Sequence, residues 1–154
     1  MACFSTKYDE TFAVGAPIES ARSYFGDLDR LAENLENVEH VERVGADVLW
    51  VRMEPLVRGP VSFRGEYRCR YRFPSENVLA WEPAGPGSIS MRGEARFASV
   101  RPAETRVEFH QAIDVEIEMN RFLAPLASPV VNLEMQRIMR RYLERARATL
   151  GAPR

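Results

Sequence analysis

Strict alternation of apolar and charged residues marks the middle of the chain. From Phe63 to Phe73 every odd position is apolar, aromatic or glycine, and every even position is charged. A period of two is typical of a strand with one buried face, because successive side chains point to opposite sides of a sheet. The pattern therefore predicts a single strand over Phe63–Phe73, with its odd-numbered side chains facing inward.

The same period predicts two more long strands, over Ser88–Val100 and Thr105–Met119, again with odd-numbered positions inward. Turn-forming residues separate the predicted strands, and strands joined by such short turns pair antiparallel. Shorter strands are predicted at Ser5–Val14, Val38–Val44, Val48–Glu54 and Val78–Glu82. The turns fall at Gly45–Asp47, Arg58–Pro60, Pro74–Asn77, Pro83–Gly87 and Arg101–Glu104.

Helical spacing of apolar residues occupies two other parts of the chain. Pro17 suits the first turn of a helix, and Asp29 is predicted to cap a second short helix after it. A long C-terminal helix is predicted from about Pro129, because a proline inside a helix removes a hydrogen bond and should prevent a straight run from Phe122. Its apolar stripe is Val131, Met135, Ile138, Met139, Tyr142, Ala146 and Leu150.

These elements predict an α+β fold in one domain that spans residues 1–154, since 154 residues suffice for about one domain. Only one long helix is available to cover the apolar face of about seven strands. The antiparallel sheet must therefore curve and wrap around that helix, with the two short helices following the first strand. A sheet that is large for its cover leaves a cavity between sheet and helix.

The charge balance restricts the partners that we expect. The formal net charge is −1, which gives no reason to expect nucleic acid. No apolar run reaches the ~20 residues of a membrane-spanning helix, and Met1–Glu10 does not resemble a signal peptide, so we expect a cytoplasmic protein. The charge is uneven, because Arg121–Arg154 contains seven arginines against Glu134 and Glu144.

The order of elements, together with three short stretches, resembles the START/polyketide-cyclase (SRPBCC) superfamily of helix-grip domains. The stretches are Phe12–Glu19, where a strand ends in Ala-Pro before a helix, Val38–Gly45, and the strand pair Gly93–Phe97 with Glu104–Phe109. The resemblance covers Ser5 to Leu150 and is nearest to the carbon monoxide dehydrogenase-associated members and to uncharacterised cyclase-like members. It implies a helix-grip fold with a cavity for a hydrophobic, lipid-like ligand, without specifying that ligand.

The inward rows and the helix stripe supply the side chains that we expect to line the cavity. Methionine is flexible and polarizable, which suits a pocket that adapts to its contents. Apolar walls with a few polar groups are typical of small-molecule sites, and a buried phenol or amide needs a hydrogen-bond partner in the protein, in water or in a ligand. The expected lining is Met53, Tyr67, Cys69, Tyr71, Met91, Phe97, Phe109, Gln111, Met119, Met135, Met139 and Tyr142.

The chain offers few groups for catalysis. No carboxylate or histidine falls on the inward rows of the three long strands, which argues against general acid–base catalysis. Cys69 has no visible base to activate its thiol, and His110 falls on an outward row. Asp27 and Asp29 are better explained as helix caps than as metal ligands. We therefore expect no catalytic residue, no metal and no cofactor.

Three functions remain open from the sequence. The first is a protein that binds or carries a small hydrophobic or aromatic molecule between sheet and helix. The second is a cyclase- or dehydratase-type enzyme in which Tyr67, Tyr71 or Gln111 polarises a substrate carbonyl. The third is an adaptor whose basic helix face meets a partner or an anionic membrane surface, through Arg137, Arg140, Arg141, Arg145 and Arg147.

Overall fold

The computed structural model describes residues 1–59 and 61–153. Within these residues the strands are β1 (Ala2–Val14), β2 (Val38–Arg43), β3 (Val48–Met53), β4 (Leu56–Arg58), β5 (Val61–Phe63), β6 (Glu66–Ser75), β7 (Val78–Pro83), β8 (Ile89–Arg101) and β9 (Glu104–Ile117). The helices are α1 (Ile18–Gly26), α2 (Leu28–Asn34) and α3 (Ala124–Leu150), and a short 3₁₀ helix at Arg121–Leu123 precedes α3.

Seven strands form one antiparallel sheet in the order β1-β9-β8-β7-β6-β3-β2. The first strand pairs with the last along its whole length, from Ala2 against Ile117 to Val14 against Thr105. The curved sheet, the long C-terminal helix and the two short helices after β1 confirm the predicted α+β architecture. None of the described helices combines the length and the hydropathy needed to cross a bilayer.

The predicted single strand over Phe63–Phe73 is wrong, because the structure divides it at Gly65. Phe63 ends β5, which pairs with β4 in a separate hairpin, and β6 begins only at Glu66. A side chain at Gly65 would collide with Ile89, so the chain passes close to β8 at this point. The predicted turn at Arg58–Pro60 includes Pro60, which lies outside the described residues.

Phe73, at the other end of the same segment, also departs from the expected inward orientation. Its side chain is exposed, and its ring lies close to Gly26 at the end of α1. Tyr67 and Tyr71, in contrast, face the concave side of the sheet as the alternation predicts.

The long helix begins earlier than predicted, at Ala124, and runs through both prolines. Pro125 occupies the first turn, where a backbone N–H would have no partner within the helix. Pro129 removes only the hydrogen bond back to residue 125, close to the helix start. Asn120 supports this start, because its side-chain oxygen accepts a hydrogen bond from the amide of Phe122 at 2.9 Å.

The cap of α2 is Asp27 and not Asp29 as expected. The Asp27 carboxylate accepts hydrogen bonds from the amides of Asp29 and Arg30, at 3.0 and 3.3 Å. Asp29 lies in the first turn and contacts the guanidinium of Arg43 at 3.3 Å. The helix therefore begins at Leu28, slightly before the predicted position, and this places the buried side chain of Leu31 toward the core.

The inner face of α3 packs mainly on β1, at one edge of the sheet. Polar contacts fix the helix there: Arg147 pairs with Glu10 at 2.7 Å, and the Tyr8 hydroxyl donates to the same carboxylate at 2.5 Å. Because α3 lies toward β1, part of the concave surface of the sheet is left without a helix over it. This uncovered part becomes the cavity.

Candidate functional site

A cavity of about 330 Å³ lies between the concave side of the sheet and α3. Its volume is at the small end of the range for small-molecule pockets, roughly 300–1,000 Å³. Strands β6 to β9 form one wall and the middle of α3 forms the facing wall. The end of α2 and the β4–β5 hairpin border the remaining sides, through Leu31, Leu35, Leu56 and Phe63.

Nine of the twelve side chains expected at the cavity line it, so the alternation and the helix stripe identify most of its wall. The other three lie elsewhere in the fold. The nine are Met53, Tyr67, Tyr71, Met91, Phe109, Gln111, Met135, Met139 and Tyr142.

Cys69, Phe97 and Met119 do not line the cavity, and each has a different reason. Cys69 is buried in the sheet interior with its sulfur 3.9 Å from the carbonyl oxygen of Met91. Phe97 lies farther along β8, where its ring packs 5.7 Å from that of Phe25 on α1. Met119 follows the end of β9 and belongs to the loop that leads into the 3₁₀ helix.

Three aromatic rings form a row along the sheet side of the cavity. The ring centroids of Tyr71 and Trp81 are 6.0 Å apart with planes inclined at 34°. Those of Trp81 and Phe109 are 5.3 Å apart at 33°. These offset, tilted pairs are typical of stable aromatic packing, and together they give the cavity one broad, flat wall.

Gly93 allows this row to exist. It lies on β8, paired with Trp81 on one side and with Gln111 on the other. A Cβ atom at Gly93 would lie 2.8 Å from Cζ2 of Trp81, so only glycine lets the indole cross β8 toward Phe109. The sequence analysis placed Gly93 inward without anticipating this role.

Gln111 is engaged within the protein. Its side-chain oxygen accepts a hydrogen bond from Nε1 of Trp81 at 2.7 Å, and its amide nitrogen donates to the sulfur of Met139. The amide thus holds the indole in place and connects the sheet to α3. Of the three polar groups expected to contact a ligand, Gln111 is the one whose side chain is already used by the structure.

Three phenols remain as polar groups of the wall: Tyr67 and Tyr71 on β6 and Tyr142 on α3. Burial raises the pKa of all three, and each is raised further by the neighbouring phenols or by Cys69. Tyr71 lies beside the Cys69 thiol. Among the described residues, the hydroxyls of Tyr67 and Tyr142 have no hydrogen-bond partner.

The raised pKa values define what these groups can do chemically. At neutral pH the three phenols are uncharged and act as hydrogen-bond donors, so they are poor bases. Burial also raises the pKa of the Cys69 thiol to about 12, which leaves it protonated and unreactive as a nucleophile at neutral pH.

The mouth of the cavity lies between the β4–β5 hairpin and α3, where exposed and charged side chains join the lining. Glu134 of α3 is mostly buried and lies between two arginines, with Arg137 at 2.9 Å and Arg58 of the hairpin at 3.8 Å. Exposed Val57 and Glu54 complete this end. The sequence analysis missed the mouth because it did not predict the hairpin.

Other carboxylates and the two histidines lie away from the cavity. Glu10 faces inward on β1 but is held by Tyr8 and Arg147 and does not contribute to the lining. His110 pairs with Asp9 at 2.7 Å on the outer face of the sheet. Across residues 1–59 and 61–153, no group of three or more His, Cys, Asp or Glu side chains is arranged to hold a metal ion.

The tyrosines give a first prediction, for alkaline pH. The sequence contains five, and the pKa of each is raised by burial, that of Tyr8 to about 12. A raised phenol pKa stabilises the folded state fully below the unfolded-state pKa of about 10 and loses this effect as the pH rises beyond it. We expect little tyrosinate in the native protein near pH 10, then ionisation that coincides with unfolding.

Near-ultraviolet absorbance and circular dichroism, recorded on the same alkaline titration, test this expectation. In denaturant all five tyrosines should titrate together near the unfolded-state pKa of about 10. A native circular-dichroism spectrum that persists while most tyrosines ionise at that pH would show that the cavity phenols are not desolvated.

Comparisons with known proteins identify the fold. No family model and no curated protein matches the sequence. Among solved structures, TTHA0849 from Thermus thermophilus superposes with a TM-score of 0.67 at 18% identity, covering 94% of this chain and 96% of that one. A START superfamily protein from Mycobacterium smegmatis gives 0.64 at 14% identity, covering 94% and 99%.

An aromatase/cyclase, Zhui from Streptomyces sp. R1128, is also similar, with a TM-score of 0.58 at 16% identity and coverage of 92% of this chain and 93% of that one. At these identities the likeness concerns the fold. The chain has the helix-grip fold of the START/polyketide-cyclase superfamily, as the sequence resemblance implied. The nearer resemblance to carbon monoxide dehydrogenase-associated members stays a prediction.

Proposed function

We propose that this helix-grip protein binds and carries a small, planar hydrophobic molecule that bears a hydrogen-bond-accepting oxygen. The observation that carries the proposal is the combination, in one cavity, of a flat aromatic row and buried phenol donors without a protein partner. Buried polar groups are almost always hydrogen-bonded. An acceptor on the ligand would supply the partner that Tyr67 and Tyr142 do not find among the described residues.

The donors favour a carbonyl, ether or hydroxyl oxygen over a cationic ligand group. Phenols whose pKa is raised by burial remain protonated, so they offer hydrogen to an acceptor and no negative charge to a cation. Among the described residues that line the cavity, the charged ones are Glu54, Arg58, Glu134 and Arg137, all at the mouth. The interior therefore favours an uncharged ligand body.

The aromatic row favours a flat ligand. Trp81 is inclined by 33–34° to both of its ring neighbours, so the wall is a shallow, continuous surface without a deep notch. Methionines 91, 135 and 139 line other parts of the cavity, and their flexible side chains adjust to the ligand outline. A conjugated ring system stacks on such a wall, whereas a bulky aliphatic ligand contacts it only at its edges.

Fluorescence of Trp81 tests the proposal directly. The chain has two tryptophans, Trp81 in the cavity and Trp50 on the outer face of the sheet. In a Trp50→Phe variant all indole emission comes from the cavity. We expect planar aromatic ketones, quinones and naphthols to quench this emission saturably, and the matched Trp81→Phe variant, with only Trp50, to show no saturable change.

Native mass spectrometry of the purified protein should accompany this titration, because a retained molecule of a few hundred daltons would identify the ligand class. A clean apo mass, together with unchanged Trp81 emission across aromatic, quinone and fatty-acid ligands, would contradict the carrier function.

An alternative function is catalysis of the cyclase or dehydratase type, in which Tyr67 or Tyr71 polarises a substrate carbonyl. Two observations favour it: the phenols are donors placed in the cavity, and an aromatase/cyclase is among the similar structures. The same fluorescence assay separates the two functions. Tyr67→Phe with Tyr71→Phe should leave ligand binding largely intact in a carrier, whereas in an enzyme it should abolish turnover of any substrate that binds.

A further inference from the structure

The outer side of α3 presents apolar side chains to solvent. Phe122, Leu126 and Leu133 are 83%, 65% and 66% exposed. Their spacing of four and seven residues places Leu126 and Leu133 on one side of the helix, with Phe122 in line at its start. We call these three residues the outer apolar row.

This row is separate from the apolar stripe that holds α3 on the sheet. The inner stripe, which includes Ala127, Val131 and Met135, is buried. Single exposed apolar residues are ordinary, but a contiguous group marks an interaction surface. The helix therefore has two apolar sides at its N-terminal half, of which the fold uses only one.

The outer apolar row leads to the mouth of the cavity. Glu134 follows Leu133 directly, and Arg137 lies one turn further on; both line the mouth. On the opposite rim, Val57 of the β4–β5 hairpin is 62% exposed and also lines the cavity. An apolar surface thus continues from α3 to the entrance through which a ligand would pass.

Arginines surround this apolar surface. Arg121 precedes Phe122, Arg58 stands on the hairpin, and the side of α3 that carries the row continues with Arg137 and Arg140. Glu134, the carboxylate nearest the row, is mostly buried and paired with Arg58 and Arg137. Exposed apolar side chains bordered by guanidinium groups match the chemistry of an anionic bilayer surface.

The same charges disfavour a second copy of this chain as the occupant. A symmetric dimer through the outer apolar row would bring the arginines of one copy close to those of the other, because a two-fold interface repeats the same patch on both sides. Like charges at such a contact repel one another. An anionic lipid surface receives these arginines favourably.

We propose that the outer apolar row docks the protein on an anionic lipid bilayer, with the mouth of the cavity facing the membrane. Phe122, Leu126 and Leu133 insert among the lipid chains near the headgroups, and the arginines contact lipid phosphates. The docking itself depends only on this surface. Exchange of the ligand between bilayer and cavity rests, in addition, on the proposed carrier function.

Co-sedimentation with vesicles tests the docking. The protein should bind vesicles of phosphatidylglycerol mixed with phosphatidylcholine, bind vesicles of phosphatidylcholine alone much more weakly, and be released by added salt. Phe122→Gln, Leu126→Gln and Leu133→Gln together should weaken the binding at least about tenfold. A matched control, Val44→Gln with Val100→Gln, changes exposed apolar residues away from α3 and should bind like the parent.

Two results would overturn the proposal. One is binding of the mixed vesicles that is absent in the parent or unchanged in the triple variant. The other is a parent that sediments as a dimer and a triple variant that sediments as a monomer, which would assign the row to a second copy. Trp81 quenching in the absence of vesicles reports the cavity separately, so failure of the carrier function leaves the docking result interpretable.

Discussion

Replacing Met135 with tryptophan should block ligand binding and leave the protein folded. Met135 is almost fully buried on the inner side of α3 and lines the cavity. A larger side chain in a well-packed core usually costs about 1–3 kcal/mol of stability. Here the added ring can occupy the cavity of about 330 Å³. We expect ligand affinity to fall at least about a hundredfold, or about 2.8 kcal/mol, with little loss of thermal stability.

Calorimetric titration with a ligand identified by Trp81 quenching, together with thermal unfolding, measures both effects. Met135→Leu is the matched control, because it nearly conserves volume and should change affinity by less than about threefold. If the tryptophan variant unfolds at the same temperature as the parent and still binds with the parent's affinity, the ligand occupies a different place and the proposed site is wrong.

The long strands were predictable because their alternation reflects one buried and one exposed face. On β9, Val107, Phe109, Ile113 and Val115 are all buried, as the odd-numbered row requires. The same logic succeeds for Tyr67 and Tyr71 on β6. Alternation reports the face of the sheet on which a side chain lies, and this is a local property of the strand.

Alternation does not report what lies opposite a given point on the concave face. Cys69 and Phe97 face inward as predicted, yet Cys69 is buried in the sheet interior and Phe97 packs against α1. Whether an inward residue borders a cavity depends on where α3 lies across the sheet. That position is set by contacts between distant elements, such as the pairing of Glu10 with Arg147.

The hairpin at the mouth was missed for a related reason. Residues 63–73 alternate without interruption, and the close approach of Gly65 to Ile89 that divides them is a tertiary contact. The early start of α3 has a local explanation that the sequence does contain. Asn120 caps the preceding turn, and Pro125 is acceptable in a first turn; the prediction gave more weight to Pro129.

The inner and outer sides of α3 should differ sharply in their effect on stability, and one substitution made on each side tests this. Leu143 is among the largest fully buried side chains, although it was not part of the predicted stripe. Leu143→Ala should lower the free energy of unfolding by about 2–5 kcal/mol, because it removes buried methyl groups and leaves a cavity. That is a large part of the roughly 5–15 kcal/mol that holds a domain folded.

Leu133→Ala makes the same change on the same helix at a position that is 66% exposed, and it should cost less than about 0.5 kcal/mol. Urea unfolding followed by circular dichroism measures both values. Equal losses would mean that the outer side of α3 is covered in solution, for instance by a second copy of the chain. A large loss for Leu143→Ala alone would show that the sheet holds one side of the helix and leaves the outer apolar row available to a membrane.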